Sequence, residues 1–399
     1  MKFIFAITLF ITVIFCQNVT GQATNNSTTE TSIDKSIEKA MAETGIVGIG
    51  ASVIIDKKVA WTKGYGYADK ENKIPFSPST LMNIASITKT FTGVCIMKAV
   101  EEGKVSLDED INNYLPFKVI NPYFPDEKIT LRHLATHTSG LTDRSPVYGD
   151  STYYYDGNKA EPLGEFLKNY FSQDGRYYSK DNFLNAKPGT RRDYSNIGAG
   201  LAGYIIELKT GKKLNGYAKD HIFKPLKMNN SGWALNEINL NNHTKLYEKK
   251  GSSIVQVPLY EVTTYPDGGI RTSVEELSKF FISLLNEGQY EKTRILKKET
   301  VEEMLRFQYT ETNKPDNVNP KKLNQGIFWA TKLGGTRIGH NGSDPGVRTF
   351  MLSDLNKEFA VIVFFNTSLN EEDEGKFFDI YEKLYQYAQD LKAKQTIRR

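Results

Sequence analysis

The placement of the extended segments constrains this chain most. Val47 to Ile55 is apolar and rich in β-branched residues, Asp56-Lys57-Lys58 supplies a turn, and Val59 to Tyr67 returns as a second strand. Four further β-like runs lie near the other end: Phe328–Thr331, Thr336–His340, Arg348–Leu352 and Phe359–Phe365, divided by Gly, Pro and Asp. The middle of the chain reads as mainly helical. A lone hairpin leaves two edges of unpaired backbone groups. Pairing it with the C-terminal runs is the simplest way to satisfy them. The expected fold is therefore α+β, an α/β/α sandwich whose antiparallel sheet is built from both chain ends, flanked by helices and interrupted by a helical insertion. The sheet region spans about 33–83 and 325–391, and the helical region about 84–324.

Helical periodicity and capping signals place the remaining elements. Ile33 to Glu43 is stopped at Gly45, and an apolar run from Phe91 to Val100 is closed by Gly103. Thr130 caps a short helix over Leu131–Thr136. Leu163–Phe171, Ile197–Lys209, Tyr217–Met228, Ser273–Asn286 and Glu374–Leu391 follow the same pattern. Asp267-Gly268-Gly269 is a tight turn. Pro146 to Ala160 has no apolar period and reads as a surface loop. Whether its tyrosines, Tyr153 to Tyr155, form a lid stays open from sequence.

Segment 1–23 has a signal-peptide profile: Lys2, a short apolar run, and a small-x-small site at Gly21-Gln22-Ala23. Cleavage and export to the periplasm or medium is the expectation, with no stable membrane span. A lipoprotein anchored through Cys16 is the alternative, disfavoured by bulky Phe15. Residues 24–32 read as a polar tether and 392–399 as a basic tail. After cleavage Cys95 stands alone, so no intrachain disulfide forms. A net charge of +4 over 399 residues, with Lys and Glu interspersed, is too weak to argue for a nucleic-acid partner, and none is expected. The five histidines show no zinc-ligand spacing.

Chemistry enters at Ile84-Ala85-Ser86-Ile87-Thr88-Lys89-Thr90. Ser86 is expected in the first turn of the apolar helix, with Lys89 three residues on and on the same face. Ser-x-x-Lys alone is weak evidence, because Ser32/Lys35 and Ser36/Lys39 match it on an ordinary charged helix. Only Ser86 has surroundings that would desolvate its lysine, lower its pKa and let it accept a proton. Tyr194-Ser195-Asn196 is the single Tyr-x-Asn, just after a Pro-Gly-Thr turn, and His340-Asn341-Gly342 the single His-x-Gly, at a strand end. A tyrosine beside an ammonium can serve as general base. Gly342 would let a substrate approach the backbone closely.

In this order the three motifs resemble the penicillin-recognising serine hydrolases, and among them the class C β-lactamase-like family. His137–Leu141 and Asp267–Thr272 look like further signatures. The resemblance runs from about Ile33 to Leu391. It implies an acyl-enzyme mechanism in which Ser86 attacks a carbonyl and Lys89 and Tyr194 share the proton transfers. It further implies that Asn196 holds Lys89 and a substrate amide, and that the backbone N–H groups of Ser86 and Ser343 form an oxyanion hole. No metal or organic cofactor is implied. Many β-lactamases have Lys where this chain has His340, which points toward esterases, amidases and D-amino-acid peptidases. Arg348 is a candidate for the missing positive charge. The expected substrate is a small molecule or peptide, with cell-wall peptides among the candidates. A β-lactamase or D-alanyl-D-alanine carboxypeptidase is the alternative, and a catalytically silent relative the third reading.

Overall fold

The computed structural model describes residues 27–150, 152–155 and 160–397. The segment read as a signal peptide, with Cys16, lies outside the described residues, as do the first residues of the tether.

Seven antiparallel strands form the central sheet: β1 (Gly48–Ile55), β2 (Lys58–Asp69), β3 (Ile74–Pro75), β4 (Ala330–Lys332), β5 (Arg337–Asp344), β6 (Val347–Asp354) and β7 (Phe359–Phe365). Their spatial order is β4-β5-β6-β7-β1-β2-β3. The two chain ends thus meet at β1 and β7, which pair from Ile49↔Phe365 to Ile55↔Phe359. The sheet from both termini is as expected.

Every residue of β1 is buried, which is why it reads as a continuous apolar run rather than an alternating one. Ile49, Ala51, Val53 and Ile55 face a core shared with helix α1 (Ser27–Thr44) and the C-terminal helix (Gly375–Ile397). Alternate residues face the other way, toward the helices of the insertion. There Ser278 Oγ donates to Ser52 Oγ at 2.9 Å, satisfying the one polar side chain of the strand.

Three boundaries differ from expectation. Helix α1 begins at Ser27, so part of the polar segment read as tether continues the helix. The C-terminal helix runs to Ile397, so most of the basic tail is its last turns. The insertion is less purely helical than its sequence suggests. Leu246–Lys250 and Ser253–Val257 form a hairpin that pairs with Thr367–Ser368, and Tyr153–Tyr155 pairs with Tyr260–Val262. These partners lie far apart in sequence, where local periodicity carries no signal.

Candidate active site

The site is built on helix α2 (Thr88–Glu101) and helix α3 (Asn196–Thr210) of the insertion and on strand β5 of the sheet. Ser86 lies just before α2, in a single 3-10 turn over Ala85–Ile87, rather than in the first turn of the α-helix itself. Ala85, directly before it, has φ of 47°, a left-handed conformation that costs a residue with a Cβ. The surroundings enforce it. Asn83 Oδ1 accepts the Ala85 N–H at 2.6 Å, and the Ile84 N–H donates to the Ile270 carbonyl at 2.9 Å. Asn83 had no motif to mark it.

Strand β5 presses directly on this turn. A Cβ on Gly342 would lie 2.5 Å from the Ile84 carbonyl oxygen and 2.9 Å from the Ala85 Cβ. The glycine is therefore required by contact between strand and turn, not only by substrate. Thr349 Oγ1 on β6 adds a hydrogen bond to the same Ile84 carbonyl at 3.0 Å. These contacts hold Ser86 and Ser343 in fixed relation.

Lys89 is completely buried. Its ammonium donates three hydrogen bonds: to Ser86 Oγ at 3.1 Å, Asn196 Oδ1 at 2.6 Å and the Asp267 carbonyl at 2.8 Å. It also lies 5.1 Å from the Tyr194 ring centroid. Burial alone would push its pKa down, the direction expected from the sequence. The Tyr194 hydroxyl and the Asp267 and Asp143 carboxylates outweigh burial, and the net direction is upward. The upward direction, opposite to the one anticipated, leaves Lys89 an ammonium rather than a free amine.

Asn196 is free to reach Lys89 because its neighbour does the capping. Ser195 Oγ accepts the Gly198 N–H at 3.0 Å at the start of α3. Asp143, unmarked by any motif, accepts the Asn196 N–H at 2.8 Å, the Ile197 N–H at 2.9 Å and the Asn196 side-chain amide at 2.8 Å. It thereby turns the Asn196 carbonyl toward Lys89. Burial raises the Asp143 pKa, partly opposed by those N–H groups. The loop bearing Tyr194 is tied down by His137: its Nδ1 accepts the Ser195 N–H at 3.2 Å and its carbonyl accepts the Asp193 N–H at 2.8 Å. The rings of His137 and Tyr194 are 4.4 Å apart.

His340 lies on β5, 2 % exposed, with its ring 6.3 Å from that of Tyr194. Nδ1 donates to the Asn341 carbonyl at 2.7 Å. Burial and the charges of Lys332 and Lys89 push its pKa far down, so His340 is neutral and supplies no positive charge. Arg348 supplies none to the serine either. Its guanidinium stacks against Phe350 and Phe378 and faces Glu374 at 3.8 Å, toward the C-terminal helix.

The described part of the Tyr-rich segment is tied to the carboxylates beside the site. Tyr148 donates to Asp267 Oδ2 at 3.2 Å and Tyr153 to Asp344 Oδ1 at 2.7 Å. Burial raises both carboxylates, Asp267 to about 6 and Asp344 to about 7. The structure brings together Ser86, Lys89, Tyr194, Asn196 and His340, with Gly342 and Ser343 on the adjoining strand.

Comparison with known proteins bears on the family and the fold. The β-lactamase family pattern matches residues 33–382. Protein flp of Staphylococcus aureus strain MW2 is 27% identical over 350 residues, 88% of this chain and 64% of that protein, so the chain spans just under two thirds of that relative's length. The octameric penicillin-binding protein homologue from Pyrococcus abyssi superposes with a TM-score of 0.67 at 28% identity, over 85% of this chain and 74% of that one. D-amino acid amidase from Ochrobactrum anthropi SV3, solved with L-phenylalanine amide, reaches 0.71 at 22% identity over 92% and 99%, a likeness of fold.

Proposed function

Because the chain belongs to the β-lactamase family, whose fold is that of serine hydrolases, we propose that it cleaves an ester or amide through an acyl-enzyme on Ser86. One observation carries this reading: a buried Lys89 ammonium that joins Ser86 Oγ to Asn196 and lies against the Tyr194 ring. Lys89 donates to Ser86 Oγ, so the serine's own proton must leave toward another acceptor. Tyr194 is that acceptor. It lies beside the Lys89 ammonium, and the two share the proton transfers. The serine oxygen bonds to the substrate carbonyl carbon, and the oxyanion is held by the backbone N–H groups of Ser86 and Ser343. Tyr194 then returns the proton to the departing oxygen or nitrogen. Water, deprotonated by the same pair, releases the acid and frees Ser86.

The neutral His340 favours the esterase or D-amino-acid peptidase and amidase type over a β-lactamase. An aryl ester, a fluorescent penicillin and a fluorophosphonate probe, each with the native chain and Ser86→Ala, test the assignment. Ser86-dependent ester turnover and fluorophosphonate labelling without penicillin labelling are expected. Labelling that survives Ser86→Ala overturns the nucleophile. Penicillin turnover moves the reading to β-lactamase. Export of the chain and a cell-wall peptide as its natural substrate belong to this proposal too.

A further inference from the structure

Behind the turn that holds Lys89 lies a cavity of about 340 Å³. Leu163, Trp233, Val262 and Tyr265 line it, with Gly269 and Arg271 of the turn itself. The cavity and the Ser86 site share one wall, the chain from Tyr265 to Arg271. On the site side the Asp267 carbonyl accepts from Lys89 at 2.8 Å and the Pro266 carbonyl from Thr92 Oγ1 at 2.6 Å. The Ile270 N–H donates to Thr88 Oγ1 at 3.1 Å, and the Ile270 carbonyl accepts the Ile84 N–H at 2.9 Å. On the cavity side Trp233 closes on the same turn. Its Nε1 donates to the Tyr265 carbonyl at 2.7 Å, and a Cβ on Gly269 would lie 2.8 Å from its ring. The rings of Trp233 and Tyr265 stand at 84° with centroids 6.0 Å apart, a corner that suits a third ring.

The polar groups of the wall set the chemistry of an occupant. The charged side chains are already answered. Glu161 pairs with Arg176 at 2.6 Å and Lys213 with Glu207 at 2.9 Å. Glu261 accepts the Leu235 N–H at 2.9 Å. The terminal nitrogens of Arg271 donate to the carbonyls of Trp233 at 2.6 Å, Gly269 at 2.7 Å and Tyr260. Two polar atoms of the lining residues are left over. Arg271 Nε and Thr263 Oγ1, on residues 3 % and 2 % exposed, are buried with no hydrogen-bond partner among the described residues. Both can donate, and each costs free energy while unpaired. A mostly apolar cavity of this size with a few polar groups is the general form of a small-molecule site.

We propose that this cavity binds an uncharged aromatic molecule carrying an acceptor oxygen, and that occupancy fixes the Tyr265–Arg271 turn against Lys89. The ring fills the corner of Trp233 and Tyr265, and the oxygen takes up the unpaired donors. The turn stands between the cavity and Lys89, so the occupant acts from behind the site rather than in it. A ligand that prefers the conformation described here favours the Asp267–Lys89 hydrogen bond that belongs to it. Ester turnover then rises in kcat with KM unchanged, and this last consequence alone rests on the hydrolase reading above.

Acetophenone is the probe, since it has the ring and the oxygen and cannot be hydrolysed. Ethylbenzene lacks the oxygen, and benzoate adds a charge. Calorimetric titration of the full chain is expected to show acetophenone binding about tenfold more tightly than either, the usual worth of a hydrogen bond. Ala234→Trp, a large side chain at a lining position, should abolish binding, and Thr263→Val should weaken it about tenfold. Hydrogen exchange at the Ile84 and Ile270 amides should slow on occupancy in the native chain and not in Ala234→Trp. No binding by the native chain, or binding that both substitutions leave unchanged, overturns the site. Tighter binding of benzoate overturns the uncharged class. Binding with unchanged exchange, or with a rise in ester KM alone, overturns the action through the turn. A folded chain that turns over no ester fails the hydrolase reading, and calorimetry and exchange still decide the site.

Discussion

Lys89 has two neighbourhoods of opposite sign. One holds Asp143, Asp267 and Asp344, with Tyr148 and Tyr153 donating to the last two. The other holds Arg192, Lys332, His137 and His340. Burial acts on all of these groups in the same sense, against charge. For Lys89 the neighbours outweigh burial; for the two histidines burial leads and the nearby cations add to it. Lys89 keeps its proton because acceptors and carboxylates surround it, whereas both histidines lose theirs beside cations. A motif names the residue type at a position, but its protonation state is set by the wall it faces.

The largest effect that sharpens this contrast is at its centre. Lys89→Met removes the bridge between Ser86 and Asn196, and ester kcat/KM should fall by about a thousandfold or more, as for members of a catalytic unit. Retention within tenfold would break the assignment. Next comes the acidic side. Asp143→Ala strands two backbone N–H groups and the Asn196 amide, at a cost of about 1–3 kcal/mol. Urea denaturation measures it, and an unchanged midpoint would contradict the bonding described.

The two neighbourhoods should also respond oppositely to pH. Asp267 and Asp344 have folded pKa values raised to about 6 and about 7. Their contribution to stability is full below about pH 4, the unfolded value, and is lost as pH rises through 6 and 7. Lys332 is depressed to about 8 by burial and nearby cations. Its contribution is present above about pH 10.4, the unfolded value, and is lost as pH falls through 8. Denaturation across this range checks both signs. Asp344→Asn should flatten the slope between pH 4 and 7, and Lys332→Gln the slope between pH 8 and 10. The smallest effect is Tyr153→Phe, which removes one hydrogen bond to Asp344 and should cost about 1 kcal/mol. A loss several times larger would mean that Tyr153 also holds the pairing of its strand with Tyr260–Val262.

Ser86, Lys89, Tyr194, Asn196, His340 and Gly342 were legible because each belongs to a short local pattern, two of them unique in the chain. Asn83, Asp143, Arg192 and Lys332 were not. Asp143 acts on Asn196, brought near only by folding, and Asn83 acts on Ala85 two residues on, but a lone Asn, Asp, Arg or Lys has no local signature. The direction of the Lys89 shift was misread for the same reason: the Asp267 carbonyl and Asp143 lie far away in sequence. The sheet was legible because β-branched runs at both ends need partners. The Tyr153–Tyr155 strand was not, since three tyrosines in a polar stretch have no apolar alternation.

The pairing of β1 with β7 also bears on how the molecule is made. During synthesis β1, apolar on both faces, leaves the ribosome long before the strand that covers its edge. Until β7 arrives, β1 can pair only with β2, and its other edge stays open to any extended chain nearby. In that interval the serine-bearing turn has only its hold from Asn83 and Ile270, because the strand that presses on it has not yet been translated. A nascent chain arrested before β5 should therefore hold much of its helical insertion yet carry an unformed nucleophile. Acylation by a serine probe would then report completion of the last strands.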